Sequence, residues 1–219
     1  MSIRKNYEIE LKKVHDDLIT MCRAIQTAIA TSMNALIGQD KELAGEVIDG
    51  DRDINRMERD IEQSCLKILL MEHPVAGDFR EVSAALKMIT DLERIGDQAA
   101  DIASLVLQFE DEKYCKPLVH LPKMAKLCKE MVKDGVTGFI NKDLELAMSL
   151  KTRDDKIDEL FDVIKKELVE LIKTDGSTAD QCILFMMIAK YYERIGDHAV
   201  NIGEWVEYTI NGHHGGEDF

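Results

Sequence analysis

The sequence predicts an all-α protein: a tandem repeat of two antiparallel three-helix bundles with six long helices. Three observations predict this fold. The composition favours helices over strands, with only 3 prolines, 13 glycines and 5% aromatic residues among 219, and the 45% hydrophobic content is enough for a sizeable core. Apolar residues recur at helical spacing along most of the chain. The segment ERIGD occurs twice, at 93–97 and 193–197, within patterns that also repeat.

Charge and cysteine content exclude several classes of protein. The chain has 28 basic and 42 acidic residues and a formal net charge of −14, so its field repels nucleic-acid phosphates and we expect no nucleic-acid partner. The five cysteines are scattered and lack CxxC spacing, which indicates reduced thiols rather than a disulfide framework or zinc ribbon. The longest apolar run, 183–189, is far too short to span a bilayer, and the N-terminal segment has no signal-peptide core. We expect a soluble, cytoplasmic protein with no transmembrane segment.

The first helix has the clearest pattern. Seven apolar residues from Tyr7 to Ala28 are spaced alternately by four and three positions, which gives one apolar seam along a helix that ends near Gly38. Such a seam could also pair two copies into a homodimer. Packing within the chain is the favoured use.

The second helix is predicted from its start and stop signals. Asp40 is a suitable N-cap, and apolar positions follow at helical spacing from Val47 to Ile68. The helix ends at the segment EHPVAGD, because Pro74 disfavours helical geometry for His73.

The third helix follows from about Ala76 to Phe109. The next segment, Asp111 to Pro122, contains two prolines and interrupts the apolar pattern, so it is the best candidate for a linker. The predicted regions are 1–112 for the first bundle, 113–121 for the linker, 122–212 for the second bundle and 213–219 for a polar tail.

The second half repeats the first. LIGQDKELA at 36–44 matches FINKDLELA at 139–147, an offset of 103 residues, and the offset falls to 100 at ERIGD. A difference of three residues is tolerated in a loop between equivalent helices. Helices joined by short turns pack antiparallel. The remaining helices are therefore predicted at about 122–140, 143–174 and 177–210.

Acidic residues line one face of each ERIGD helix, because positions i and i+4 stack about one turn apart. The preceding helix of each half carries oxygen-bearing side chains at the same spacing. Oxygens that converge from adjacent helices suit hard cations such as Mg²⁺, Mn²⁺ or iron, although the Glu-x-x-His pair of di-iron oxidases is absent from the sequence. The candidate ligands are Asp51, Asn55, Glu93, Asp97 and Asp101 in the first half and Asp154, Asp158, Glu193, Asp197 and Asn201 in the second.

The same acids could instead be structural. Within each ERIGD segment an arginine, Arg94 or Arg194, lies three residues before the aspartate and could pair with it on a solvated surface. Recurrence in both halves weighs against an ordinary surface stripe, and the residues alone leave the two interpretations about equal. Gly96 and Gly196 each cost about 1 kcal/mol relative to alanine, so we expect a neighbouring helix or a ligand to approach closely there.

The sequence offers little for catalysis. No glycine-rich phosphate loop precedes a helix, and no Ser, Cys or Lys nucleophile stands in a recognisable context. His198 follows the second ERIGD segment but is expected to point off the acidic face, and the first half has Gln98 there. We expect a non-enzymatic binding protein. The alternative is a metal-dependent carboxylate-bundle enzyme acting on a phosphate compound, which would need an open coordination position and a general base.

Several motifs resemble the PhoU family of bacterial phosphate-signalling regulators. HPVAGDFREV at 73–82 is similar to that family's turn of the form QPVAxDLR. Both ERIGD segments are followed by A-x-[ND]-I, and the preceding helices carry DGDRDINRME and TRDDKIDELF. Together with the tandem halves, the resemblance covers essentially the whole chain.

The resemblance implies two three-helix bundles and a regulatory role. Members of the family limit phosphate uptake and repress the phosphate-starvation response. They connect the phosphate-specific ABC transporter, here through its ATPase subunit, with a membrane-bound sensor histidine kinase of the PhoR type. The family's iron or zinc clusters are held by paired [ED]-x-x-x-D motifs, which correspond to the ten candidate ligands. Asn55 of the first half stands at the position equivalent to Asp158 of the second, and Asp101 stands where the family often has Asn. These differences imply two metal sites of unequal charge.

Overall fold

The computed structural model describes residues 3–110, 113–214 and 217–218, and six long helices make up most of them. This confirms the predicted all-α tandem fold. A 3-10 turn, Gly176–Thr178, precedes the last helix. The helices are α1 (Ile3–Gly38), α2 (Lys41–Met71), α3 (Gly77–Val106), α4 (Leu121–Asn141), α5 (Leu144–Thr174) and α6 (Ala179–Asn211), and two short strands follow, β1 (His213–His214) and β2 (Glu217–Asp218).

The helices pack as two groups of three that share one core. Within each half every helix contacts the other two. In addition, α1 packs against α4 and α3 packs against α6, so the apolar core continues from one half into the other. The seam of α1 is buried inside the chain, with Val14, Leu18 and Met21 fully covered. Self-association through this helix stays a prediction.

Equivalent aspartates begin the second helix of each half. The side chain of Asp40 accepts a hydrogen bond from Leu43 N at 2.9 Å, and that of Asp143 accepts one from Leu146 N at 3.0 Å. Each carboxylate thereby satisfies an N–H group that has no partner within the helix. The predicted cap at Asp40 is confirmed, and α5 begins one residue later than expected because Asp143 is its cap.

The ends of α3 differ slightly from the prediction. The turn around Pro74 places His73 and Ala76 at positive φ (46° and 48°), and the helix begins at Gly77. It ends at Val106 rather than at Phe109. Phe109 is buried after the helix has ended, and its ring packs 5.1 Å from Tyr114 and 4.9 Å from Phe185. Packing onto α6 therefore decides where the helix stops.

The chain after α6 is described only in part. β1 and β2 pair antiparallel where the sequence predicted a polar tail at 213–219, so four of its residues form a short hairpin. Gly215, Gly216 and Phe219 lie outside the described residues, as do Asp111 and Glu112 before the linker. Over the described residues, no helix combines the length and apolar character needed to cross a membrane.

Candidate functional site

The two ERIGD segments meet at the junction between the halves, where α3 and α6 run antiparallel. Asp91 of α3 lies 2.9 Å from His198 Nδ1 and accepts a hydrogen bond from Asn201 Nδ2 at 3.2 Å. At the symmetric position, Tyr191 on α6 lies close enough to Asp101 on α3 for the two side chains to shift each other's pKa. His198 thus points away from the acids of its own half, as predicted. The third residue of each acidic stripe contacts the opposite half.

The first half brings α2 and α3 acids together. Asn55 donates a hydrogen bond from Nδ2 to Asp51 Oδ2 at 2.8 Å. Burial raises the pKa of Asp51, and the negative charges of Asp97 and Asp101 raise it further. Burial and the charge of Asp97 likewise raise the pKa of Glu93. These carboxylates are close enough to repel one another, so this face favours a cation.

Unsatisfied oxygens mark the same place. Asp51 Oδ1 and Asn55 Oδ1 are buried without a hydrogen-bond partner, and so is Asp154 Oδ1 in the second half. Buried polar atoms are almost always paired in folded proteins. Unpaired oxygens at three predicted ligand positions therefore fit a cation-binding role, although unpaired buried atoms such as Gln98 Oε1 also occur outside the ligand set.

Arg94 supplies part of the missing positive charge in the first half. Its Nη1 lies 3.5 Å from Asp97 Oδ2 and its Nε lies 3.7 Å from Glu93 Oε2. The pairing of Arg94 with Asp97 is the contact that the structural interpretation of the stripe predicted. More than half of the Arg94 side chain is exposed, so solvent screens its charge and the pair is weak.

The second half is built differently. Asp154 lies against α6 at Gly196, where a β-carbon would come within 2.3 Å of Asp154 Oδ1. Burial, together with the charges of Asp197, Asp158 and Glu193, raises the pKa of Asp154 to about 7. The close approach expected at Gly196 is confirmed, and the approaching group is a carboxylate. At Gly96 the approaching group is Ile54, whose Cγ2 would lie 2.9 Å from a β-carbon.

Two charged residues beside the candidate ligands, Glu58 and Lys190, were not identified from the sequence. Glu58 lies three residues after Asn55 on α2, and its charge acts on Glu93. Lys190 pairs with Glu193 and lies 5.7 Å from the ring of Phe161. The i+3 spacing of each residue from a predicted ligand could have indicated both. Arg194 was expected to act as counter-ion to Asp197 in its own half. Its positive charge instead lowers the pKa of Asp101 on α3, across the junction between the halves.

The candidate ligands do not form closed sites as they stand. Among residues 3–110, 113–214 and 217–218, no three His, Cys, Asp or Glu side chains are arranged to hold a metal ion. The donor set consists of carboxylate and amide oxygens, which suits hard cations. Side-chain rotation would be needed to bring the oxygens of α2 and α3, or of α5 and α6, onto one ion. The ligand assignment stays a prediction whose donor chemistry fits.

Comparisons with known proteins agree with the fold and with the repeat. The family model described as "PhoU domain" matches the chain twice, at residues 18–106 and 121–206. The chain is 34% identical to a "Phosphate-specific transport system accessory protein PhoU homolog" of Clostridium acetobutylicum, over 95% of this chain and 96% of that protein. It is 30% identical to the PhoU accessory protein of Escherichia coli, over 99% of this chain and 91% of that protein.

Two solved structures are similar to this chain in fold over nearly their full length. The crystal structure of PhoU from Pseudomonas aeruginosa superposes with a TM-score of 0.89 at 32% identity, covering 94% of this chain and 99% of that one. The phosphate transport system regulatory protein PhoU from Streptococcus pneumoniae gives a TM-score of 0.87 at 27% identity, covering 95% and 98%. With two family-model matches and near full-length similarity in both sequence and fold, the chain belongs to the PhoU family.

Proposed function

We propose that this protein is a negative regulator of phosphate uptake and of the phosphate-starvation response. It acts as a cytoplasmic adaptor between the phosphate-specific ABC transporter and a sensor histidine kinase. The observation that carries the proposal is the near full-length similarity to proteins named as accessory or regulatory proteins of phosphate transport. Those names favour a binding role over an enzymatic one.

The acidic clusters are the proposed cation sites of this adaptor. Asp51, Asn55, Glu93 and Asp97 would hold one ion, with Asp101 if it leaves Tyr191. The equivalent set would be Asp154, Asp158, Glu193 and Asp197, with Asn201 if it leaves Asp91. Iron or zinc is expected from the family resemblance, and Mg²⁺ or Mn²⁺ from the donor chemistry. A bound ion would supply a fixed positive centre to which an acidic or phosphorylated partner could dock.

Direct binding tests the proposal. The purified protein would be titrated with the cytoplasmic part of the kinase and, separately, with the transporter ATPase subunit, each with and without a metal chelator. We expect binding to both partners and weaker binding in the presence of chelator. Absence of binding to either partner would contradict the adaptor role. Binding that ignores chelator would limit the ions to a structural role.

A pair of variants separates metal from fold. Glu193→Ala combined with Asp197→Ala removes two proposed ligands and should lower both metal content and chelator-sensitive binding. The control removes two exposed acids of α5, Glu145→Ala with Glu159→Ala, which changes the net charge equally. Equal loss of partner affinity in the two double variants would mean that overall charge, rather than a bound ion, governs docking.

A further inference from the structure

Two cysteine sulfurs face each other where the linker crosses α6. Cys115 lies in the linker and Cys182 lies near the start of α6, 67 residues further along the chain. Their Sγ atoms are 4.0 Å apart. A disulfide bond is about 2 Å long, so the two sulfurs must approach each other by about 2 Å for the bond to form.

The linker is held beside α6 by bonds that do not involve the thiols. The backbone N–H of Cys115 donates to Gln181 Oε1 at 2.8 Å, and Gln181 Nε2 donates to Lys113 O at 3.5 Å. The ring of Tyr114 packs 5.1 Å from that of Phe185, and its hydroxyl donates to Leu36 O at 2.6 Å. The two thiols therefore stay close together in the reduced protein.

Access to the pair is unequal. Cys115 is partly exposed at a surface depression that is also lined by Ile37 and Gln39. Cys182 is only 1% exposed. A reagent in solution therefore reaches Cys115 first, and Cys182 is placed to react with whatever forms there. Burial and the neighbouring Cys182 raise the pKa of Cys115 to about 11, so reaction is slow at neutral pH and faster in alkali.

We propose that Cys115 and Cys182 form a redox modification site, which a disulfide oxidant such as oxidised glutathione converts into an intramolecular disulfide between the linker and α6. The Cys115 thiolate attacks one sulfur of the oxidant and releases one glutathione thiolate. The Cys182 sulfur then attacks Cys115 in the mixed disulfide and releases the second. Two electrons pass from the cysteine sulfurs to the two glutathione sulfurs, which take up the two protons.

The other cysteines provide controls within the same chain. Cys22 is buried with its sulfur 3.9 Å from Val132 O, and Cys128 is buried with its sulfur 3.2 Å from Tyr192 O. Cys65 is fully buried in the core. Oxidation should therefore leave these three thiols intact.

The first experiment counts thiols. Reduced protein is incubated with oxidised glutathione at about pH 8.5, where more of the Cys115 thiol ionises. Remaining thiols are counted after denaturation, and the digest is mapped by mass spectrometry. We expect the count to fall from five to three, a peptide cross-linked between Cys115 and Cys182, and full recovery with dithiothreitol. Five remaining thiols, a stable glutathione adduct on Cys115, or a different cysteine pair would overturn the proposal.

Single variants test the order of the steps. Cys182→Ser should stop at a mixed disulfide between Cys115 and glutathione, whereas Cys115→Ser should stay unmodified. Cys22→Ser, the control, should still form the cross-link. Circular dichroism of each reduced variant checks that it is folded. A protein cross-link in either Cys115→Ser or Cys182→Ser would contradict the assigned pair, as would loss of the link in Cys22→Ser.

Discussion

Glycines on α6 and α3 occupy crowded positions for different reasons. Gly196 makes room for the Asp154 carboxylate, whereas the equivalent Gly96 makes room for a buried isoleucine, Ile54. Among the glycines of the described residues, Gly203 has the tightest backbone neighbour, because a β-carbon there would lie 2.9 Å from the backbone oxygen of Ala147. A flexible side chain can move out of the way, but a helix backbone cannot move alone.

Gly203→Ala should therefore destabilise the protein, although alanine is the better helix former. Overpacking costs about 1–3 kcal/mol and outweighs the gain in helix propensity of about 1 kcal/mol. Gly50→Ala is the matched control, since Gly50 is exposed within α2 and a β-carbon there would meet nothing within 4 Å. We expect Gly50→Ala to stabilise by up to about 1 kcal/mol. Urea unfolding measures both, and a Gly203→Ala protein as stable as the parent would contradict the backbone contact.

The ionised carboxylate of Asp154 is destabilised by burial and by neighbouring negative charges, and a bound cation should reduce this destabilisation. Folding raises its pKa from 3.8 to about 7, so ionisation of this group destabilises the folded protein as the pH rises toward 7. With chelator at about pH 8, Asp154→Asn should therefore stabilise the protein by about 1 kcal/mol, allowing for partial exposure. Added Mn²⁺ or Zn²⁺ should raise the melting temperature of the parent more than that of the variant.

Thermal unfolding with chelator and with each metal checks this prediction. Asp49→Asn provides the control, because Asp49 is an exposed helical aspartate whose charge is not among those acting on Asp154. If Asp154→Asn were less stable than the parent in chelator, the proposed charge repulsion at this position would be wrong.

The sequence predicted the acids of the site and the pairing of Arg94 with Asp97, but not where the charge of Arg194 acts. Spacing of four residues was enough to place Glu93 and Asp97 on one face of a helix. It could not show that Arg94 stays with its own stripe while Arg194 acts across the junction. That difference depends on how α3 and α6 cross, which is a property of tertiary packing and is absent from either helix alone.

At the scale of the elements, a helix bound set by a local signal was predicted better than one where tertiary packing intervenes. Asp40 caps α2 as predicted, because a side-chain cap depends on residues within one turn. The end of α3 was placed three residues too late, because Phe109 fits the helical apolar pattern but packs against the linker and α6 instead. Local signals are readable from the sequence, whereas this helix end is decided by a residue more than 70 positions away.

The equivalent caps give a prediction for both halves. Asp40→Ala and Asp143→Ala each leave an N–H of the first turn without its bond and should each lower the free energy of unfolding by about 1 kcal/mol. Asp40→Asn should lose less, since an amide oxygen can still accept the bond. Exposed Asp49 within α2 is the control, and its alanine variant should be nearly neutral. Urea unfolding compares the variants, and a cap variant that matches Asp49→Ala would show that water replaces the lost bond.

At the scale of the whole molecule, the two repeats form one packed body rather than separate bundles. The sequence predicted the repeats and the helices within each, since both follow from local patterns. It did not predict which helices join the halves. The α1–α4 contact includes a hydrogen bond from Gln26 Nε2 to Lys129 O at 3.1 Å and an edge contact between the rings of His15 and Phe139 at 5.7 Å. Disturbing this junction should therefore weaken both halves together.

Glu81 is the charged group best placed to test that coupling. It is 3% exposed on α3, and its carboxylate lies 2.9 Å from Lys142 Nζ, after α4, and 3.4 Å from His15 Nε2 on α1. Burial alone would raise its pKa, but the close contact with His15 and the hydrogen bond and charge of Lys142 lower the pKa overall. Because the pKa of Glu81 is lower in the folded state than its ordinary value near 4.5, its ionised carboxylate stabilises the protein at pH values above 4.5. This stabilisation is lost as the pH falls through the folded-state pKa.

Glu81→Gln should therefore reduce stability most at neutral pH, by about 1–2 kcal/mol, because Lys142 is half exposed and its pair is screened. The difference from the parent should shrink as the pH falls below the ordinary value near 4.5, where the parent's carboxylate becomes protonated. Urea unfolding at pH values above and below 4.5 measures it, with Glu159→Gln on the exposed face of α5 as control. One cooperative transition that shifts as a unit would show that the junction couples the halves, whereas separate transitions, or a constant difference across this pH range, would contradict the role given to Glu81.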